Sequence, residues 1–279
     1  MNLNWLQSLL FGLLSGLADI LPVSAQAHKA ILLTVFGADG ESPLMRLMIH
    51  LAVLASLYYS CRSQIRRMIR QRRLARVPKR RRKRPVDVRT LLDFRLLATM
   101  LIPLALAFFL YPKTSAMNLS LNWIALFLVL NGIILYLPNL LPSGNKDARS
   151  LSRLEGVLMG LCGGLSVFPG ISSVGTITSA GSIFGAERSY IVNLSLMAQM
   201  AVTAILIVFD VVSLVTAGIG AAGFGAILCC LLAAAAAFAG VFAGIRVMRT
   251  MAVNIGFGVF AYYSLGLALL SFILYLSAA

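Results

Sequence analysis

Apolar residues come in long runs along this chain, without the alternation of a half-buried strand or the narrow stripe of a soluble helix. Six runs, at about 43–61, 91–111, 120–141, 189–209, 222–247 and 254–277, are each near the ~20 residues a helix needs to cross hydrocarbon. They predict six membrane-spanning helices. Two further stretches, 3–36 and 154–184, are apolar but interrupted by Pro, Gly, Ser and ionisable residues. Pro22 and Pro169 fall in their middles, where each removes a backbone donor and stops a helix. The pattern predicts a helical hairpin in each stretch, entering and leaving the bilayer by one face, its backbone shielded by other helices.

The two broken stretches are versions of one motif. The first reads GLLSGLADILPVSAQAHKAIL from Gly12 to Leu32, and the second reads GLCGGLSVFPGISSVGTITSA from Gly160 to Ala180. Laid over one another without a gap, 148 residues apart, they pair Gly12 with Gly160, Gly16 with Gly164 and Ser24 with Ser172. Broken apolar segments at matching places in two halves point to a binding site near the middle of the bilayer.

Charge orients the chain. Of 24 Lys and Arg residues, 14 lie between Arg62 and Arg89, including the run from Lys79 to Arg84. Short loops rich in Lys and Arg stay in the cytoplasm, and 62–89 reads as such a polybasic loop. With 62–89 inside, residues 112–119 are expected outside, and Lys146, Arg149, Arg153, Arg188, Arg246 and Arg249 all fall inside. The first hairpin then enters from outside and the second from inside. Two inverted-topology repeats result, 1–141 and 150–279, within a single membrane domain over 1–279.

Composition agrees with this class. With 59% hydrophobic residues, 12% charged residues and a mean hydropathy of +0.90, the chain has more apolar surface than a soluble domain of its length can hide. The fold class is therefore an all-α polytopic membrane protein. The basic segment lacks interleaved aromatic residues or an adjoining folded module, which argues against nucleic-acid binding and for contact with anionic lipid. Cys61, Cys162, Cys229 and Cys230 lack metal-ligand spacing and read as packing residues. The first apolar run continues into the motif without a basic leader, so no cleavable signal is expected.

The run Gly16-Leu-Ala-Asp-Ile-Leu-Pro-Val-Ser24, followed by His28, resembles the first signature of the undecaprenyl-diphosphate phosphatases, Glu-Gly-Leu-Thr-Glu-Phe-Leu-Pro-Val-Ser-Ser-x-Gly-His. Phe168-Pro169-Gly170-Ile171-Ser172 resembles the start of their second, Pro-Gly-x-Ser-Arg-Ser-x-x-Thr. Length, span number and inverted halves extend the likeness over nearly the whole chain. The resemblance implies removal of the terminal phosphate of a polyprenyl diphosphate, the carrier lipid of cell-wall synthesis. It also implies a divalent cation, Mg²⁺ or Ca²⁺, a pocket open to the outer face, and the bacterial cytoplasmic membrane as location.

The departures fall where chemistry is expected. Ser15 and Asp19 stand where that family has two glutamates, Ala25 replaces the second serine of its pair, and Ser173 replaces its arginine. Val174 and Ile177 stand at its following serine and threonine, with Thr176 and Thr178 flanking the latter. A serine hydroxyl donates one hydrogen bond but cannot neutralise a phosphate as a guanidinium does. Lys29 is the candidate to compensate.

Asp19 is the leading site residue, as metal ligand or water-orienting group, because an intramembrane carboxylate is costly to keep. His28 reads as a proton-transfer residue, a phosphate donor or a helix-packing residue. Ser15, Ser24, Lys29, Gly170, Ser172, Ser173 and Thr176 form the expected substrate-binding set, with helix-start amides attracting an anionic head group. His50, in an apolar span with no ionisable partner evident, reads as an interhelical hydrogen-bonding residue. The Gly-x-x-x-Gly pairs 12/16, 160/164, 181/185 and 240/244 predict close helix packing, within the chain or in a homodimer. Two functional classes follow: a working phosphatase, or a carrier or flippase that keeps the lipid pocket without hydrolysis. A solute transporter is the weaker third.

Overall fold

The computed structural model describes residues 3–38, 40–82, 84–115, 121–217, 223–254 and 257–278. Lys83 and residues 116–119, part of the basic run and of the expected outer loop, lie outside the described residues. Among the latter the regular structure is helical, apart from one isolated bridge between Lys146 and Ala186. The helices are α1 (Trp5–Ile20), α2 (Ala25–Phe36), α3 (Pro43–Arg76), α4 (Val88–Ala107), a short α5 (Tyr111–Thr114), α6 (Leu121–Tyr136), α7 (Arg153–Gly164), α8 (Ser173–Ile183), α9 (Arg188–Ala217), α10 (Phe224–Asn254) and α11 (Gly258–Ala278). Six helical segments are long and apolar enough to cross a membrane: α3, α4 with α5, α6 with the turn that follows it, α9, α10 and α11. These are the six runs read from the sequence.

Both interrupted stretches form two helices with a break at the proline. In the first, Leu21 is extended ahead of Pro22 and the helix resumes at Ala25, as sterics before a proline require. In the second, a 3₁₀ turn over Leu165–Val167 leads to an extended Phe168 before Pro169. Gly170 then takes φ +107°, a conformation that a side chain strains. Each helix pair returns to the end from which it started. Cys229 at the start of α10 donates to the Leu3 carbonyl at 3.7 Å, and the adjacent Cys230 sits beside Ser42, so both ends of the first pair meet there. For the second pair, Lys146 bonds Glu155 of α7 at 3.1 Å while its backbone pairs with Gly185 and Glu187 beyond α8, each at 2.9 Å.

Glycines set the packing. Gly12 and Gly16 of α1 lie against the backbone at Ala233 and Ala237 of α10, and Gly240 and Gly244 of α10 lie against α1 in return. A Cβ at these positions of α1 has no room. Gly160 packs on Met100 and Pro103 of α4, and Gly164 on Ala107. Thus α1 pairs with α10 and α7 with α4, while α6 pairs with α11 and α3 with α9. The faces of the pairs 12/16, 160/164 and 240/244 are thus occupied by helices of the same chain.

The basic segment departs from the loop read over 62–89. Residues 62–76 continue α3 as helix, because Arg, Gln, Leu and Met are good helix formers and no Gly or Pro intervenes before Pro78. The segment turns back at Asp87, which caps α4 through Thr90 and takes a 2.5 Å hydrogen bond from Arg67. The Arg67 and Thr90 hydrogen bonds hold the Asp87 carboxyl well below the usual carboxylate range. A depressed carboxylate stabilises this corner above its ordinary pKa of 3.8, a contribution lost only as pH falls further through its folded value.

Gly16→Leu is expected to force α1 away from α10 and cost at least about 2 kcal/mol. A thermal unfolding midpoint in detergent equal to that of the parent protein would refute this packing account.

Candidate functional site

The two breaks meet. Ser24 caps α2 and Ser172 caps α8, each accepting the amide hydrogen three residues on. Each cap also reaches across: the Gly170 amide donates to Ser24 Oγ at 3.1 Å, and Ser172 Oγ donates to the Leu21 carbonyl at 3.2 Å. Asn131 of α6, fully buried, joins both. Its Nδ2 donates to the Pro22 carbonyl at 3.3 Å and to Ser264 of α11 at 3.0 Å, and its Oδ1 accepts from the Ser172 amide at 3.0 Å. Broken helices leave backbone groups without intrahelical partners, and a buried unpaired group is costly. Asn131 satisfies one from each break.

A cavity of about 620 Å³ opens beside this junction. The first turns of α2 and α8 face it with Ser24, Gln26, Ser172 and Ser173, bringing two positive helix ends to one place. Leu33, Phe108, Val202, Leu206 and Phe209 supply apolar wall, and Asp19, Lys29, Glu41, Arg46, His50 and Asp210 supply ionisable groups. The cavity is reached from the N-terminal end of α3 and the C-terminal ends of α4 and α9. The basic segment leaves from the opposite ends of α3 and α4.

Of these six, all but Asp19 have a charged partner among the described residues. Lys29 Nζ bonds both Glu41 oxygens, at 3.3 and 3.4 Å. Arg46 Nε stands 2.8 Å from Asp210 Oδ1, and His50 Nδ1 lies 2.5 Å from the other oxygen. Asp19 carries no hydrogen bond or ion pair among the described residues, although His50, Lys29 and Glu41 act on it electrostatically. The Gln26 Oε1 oxygen, buried on the same cavity, likewise has no hydrogen-bond partner there. No group of three His, Cys, Asp or Glu residues forms a metal cluster among the described residues.

Of the residues singled out in the sequence, Asp19, Ser24, Lys29, Ser172 and Ser173 line the cavity. Four do not. His28 lies on the far side of α2, with Nδ1 bonded to the Ser24 carbonyl and Nε2 to Tyr263 Oη, both at 2.7 Å, and its ring stacked on Tyr263. Ser15 donates to the Phe11 carbonyl within α1 at 2.5 Å. Thr176 donates back to the carbonyls of Ser172 and Ser173 inside α8. Gly170 contributes its amide to the junction. Ser173, at the position of the expected arginine, gives its hydroxyl to Gln199 of α9.

Sequence reading missed Asn131, Gln26 and the Arg46–Asp210–His50 cluster. His50 does bridge helices, as expected, but it has ionisable partners. Arg46 is four residues before it on one helical face, and Asp210 is another intramembrane carboxylate, the same signal that singled out Asp19.

Fold and cavity define a class: a multi-pass helical membrane protein with a polar, charged cavity where two interrupted helices converge. The family model described as Bacitracin resistance protein BacA matches residues 8–270, and this chain belongs to that family. It is 29% identical to the protein named undecaprenyl-diphosphatase of Methanobrevibacter smithii over 195 residues, covering 68% of this chain and 70% of that one. Against its namesakes in Carboxydothermus hydrogenoformans and Nocardia farcinica it is 28% identical over 196 residues and 26% over 237. Those matches cover 70% and 73% of this chain, and 69% and 74% of the relatives.

Asn131→Ala removes partners from both breaks at once. It is expected to cost about 3 kcal/mol, the desolvation of two or three orphaned groups. An unfolding midpoint in detergent within a degree of the parent's would show that the junction holds without it.

Proposed function

We propose that this chain binds a polyprenyl diphosphate with its head group in the cavity, and removes the terminal phosphate to recycle the carrier lipid of cell-wall synthesis. The observation that carries this reading is Asp19, a carboxylate without a hydrogen-bond or ion-pair partner among the described residues, beside two serine-capped helix starts, in a chain whose relatives are named undecaprenyl-diphosphatase. The Ser24 hydroxyl and the first-turn amides of α2 and α8 would hold phosphate oxygens, and the Ser172 and Ser173 hydroxyls would join them by turning from the Leu21 carbonyl and Gln199. The apolar wall from Leu33 to Phe209 would take the first isoprene units.

Charge arithmetic calls for a cation. Three carboxylates, Asp19, Glu41 and Asp210, face the cavity against two cations, Lys29 and Arg46, and a diphosphate adds further negative charge. Asp19 and Gln26 Oε1 are oxygens without partners among the described residues, the hard donors that Mg²⁺ or Ca²⁺ takes alongside water and phosphate. When bound, such an ion supplies neutralisation of the phosphate oxygens. Asp19 orients the attacking water and draws its proton. Water oxygen bonds to the terminal phosphorus, the bond to the bridging oxygen breaks, and inorganic phosphate and the lipid monophosphate leave. His28 acts from behind the site, fixing the Ser24 carbonyl and the start of α2 against Tyr263.

A second reading has its own observation. With Ser173 tied to Gln199 and His28 turned to Tyr263, the cavity keeps a head-group site while lacking two groups that would speed hydrolysis. In that case the protein carries or flips the lipid.

In the membrane, the two helix pairs are re-entrant hairpins of opposite orientation, within inverted repeats 1–141 and 150–279. The ends of one gather by Cys229 and Cys230 and those of the other by Lys146. The protein sits in the cytoplasmic membrane of a bacterium with the basic segment inside, attracted to anionic lipid by ~1 kcal/mol per basic residue near the surface. The cavity opens outside. In a cysteine-free background, Ser115→Cys at the cavity rim is expected to react with an impermeant maleimide on intact cells, and Arg84→Cys only after permeabilisation. The reverse labelling would invert the topology.

Purified protein with a polyprenyl diphosphate is expected to release phosphate in the presence of Mg²⁺ or Ca²⁺, and Asp19→Asn to lower that rate at least about 100-fold. Lipid binding without release would select the carrier. Neither binding nor release would reject both readings.

A further inference from the structure

We infer that Arg46 is the phosphate-binding cation of this cavity, supplied from α3 and presented by Asp210 and His50. The inference rests on the reading that the cavity takes a diphosphate, and adds the residue that meets the charge. Arg46 is the one guanidinium among the described residues that line the cavity. Its Nε stands 2.8 Å from Asp210 Oδ1, off the direction of the N–H, and its Nη2 donates to Ser213 Oγ at 3.0 Å. Its Nη1 makes no hydrogen bond among the described residues. The carboxylate behind it is sealed, with the Asp210 side chain 2% exposed, whereas the Arg46 side chain is 30% exposed.

That asymmetry separates a structural pair from a presented cation. A charge at this depth is costly to bury without a counterion, and Asp210 provides one from the back. His50 Nδ1 occupies the other carboxylate oxygen at 2.5 Å, which fixes the plane of the carboxylate and with it the direction of the guanidinium. A guanidinium carries five donors in a planar fork, enough to keep a carboxylate on one edge and take phosphate oxygens on another. Lys29, the other cation on the cavity, is a poorer source: its Nζ is bonded to both oxygens of Glu41 and its side chain is 12% exposed. The ligand class is a phosphate or diphosphate anion, whether the head group of a lipid or a free ion.

The test is calorimetric titration of full-length protein in detergent at fixed Mg²⁺, with farnesyl diphosphate in one arm and inorganic pyrophosphate in the other. The parent protein, Arg46→Gln and Arg46→Lys are compared, with the unfolding midpoint recorded for each. Arg46→Gln is expected to weaken binding at least about tenfold, and Arg46→Lys, which keeps the charge but loses the fork, several-fold. Dependence on Arg46 in the farnesyl arm alone assigns a lipid head group, and in both arms a general diphosphate site. Parental affinity in a folded Arg46→Gln would overturn the inference while leaving the lipid-diphosphate reading standing. If Arg46→Gln does not fold, Arg46→Lys decides, and parental affinity there overturns it equally. A parent protein that binds neither compound removes the diphosphate reading and this inference together.

Discussion

The structure depends on pairing the backbone groups that two broken helices leave free. At membrane depth no water is available to satisfy them, so an interrupted helix survives only where protein supplies the missing partners. Here the breaks supply one another. Ser24 and Ser172 each cap their own helix and bond the opposite break, and Asn131 ties both to α6 and α11. The glycine contacts of α1 with α10 and α7 with α4 hold the first helix of each pair close enough for this exchange.

The same constraint makes the site. A helix that stops and restarts in the interior exposes a new N-terminus there, with unpaired amides and a positive dipole end. Two such starts stand side by side here, each bounded by a hydroxyl cap. The two starts differ in kind: α2 brings Gln26 and, just beyond its first turn, Lys29 to the cavity, and α8 brings Ser173. Electrostatic capacity is therefore unevenly shared between the two motifs, and the long helices α3 and α9 contribute the remainder through Arg46, His50 and Asp210.

The architecture was legible because its signals are local or periodic. Span length fixed the six long helices, and Pro22 and Pro169 fixed where the two others break. The ungapped repeat placed Ser24 opposite Ser172, a relation that the structure expresses as two caps at one junction. Span ends were less legible: α3 runs on through Arg76 because helix formation there follows propensity and does not stop at the edge of hydropathy.

The sequence by itself determined that this is a multi-pass helical membrane protein with two interrupted segments carrying Asp19, Ser24 and Ser172, since hydropathy, proline and repeat register are properties of the chain alone. Tertiary structure decided which polar residues share a cavity. His28 is nine residues from Asp19 yet faces Tyr263, while Asp210, far along the chain, meets Arg46 and His50. Direction around a helix axis decides the first, and the packing of α3 on α9 decides the second. Neither is encoded in proximity along the sequence, because a contact between helices depends on crossing position and rotation, which are set by all the side chains at the interface together.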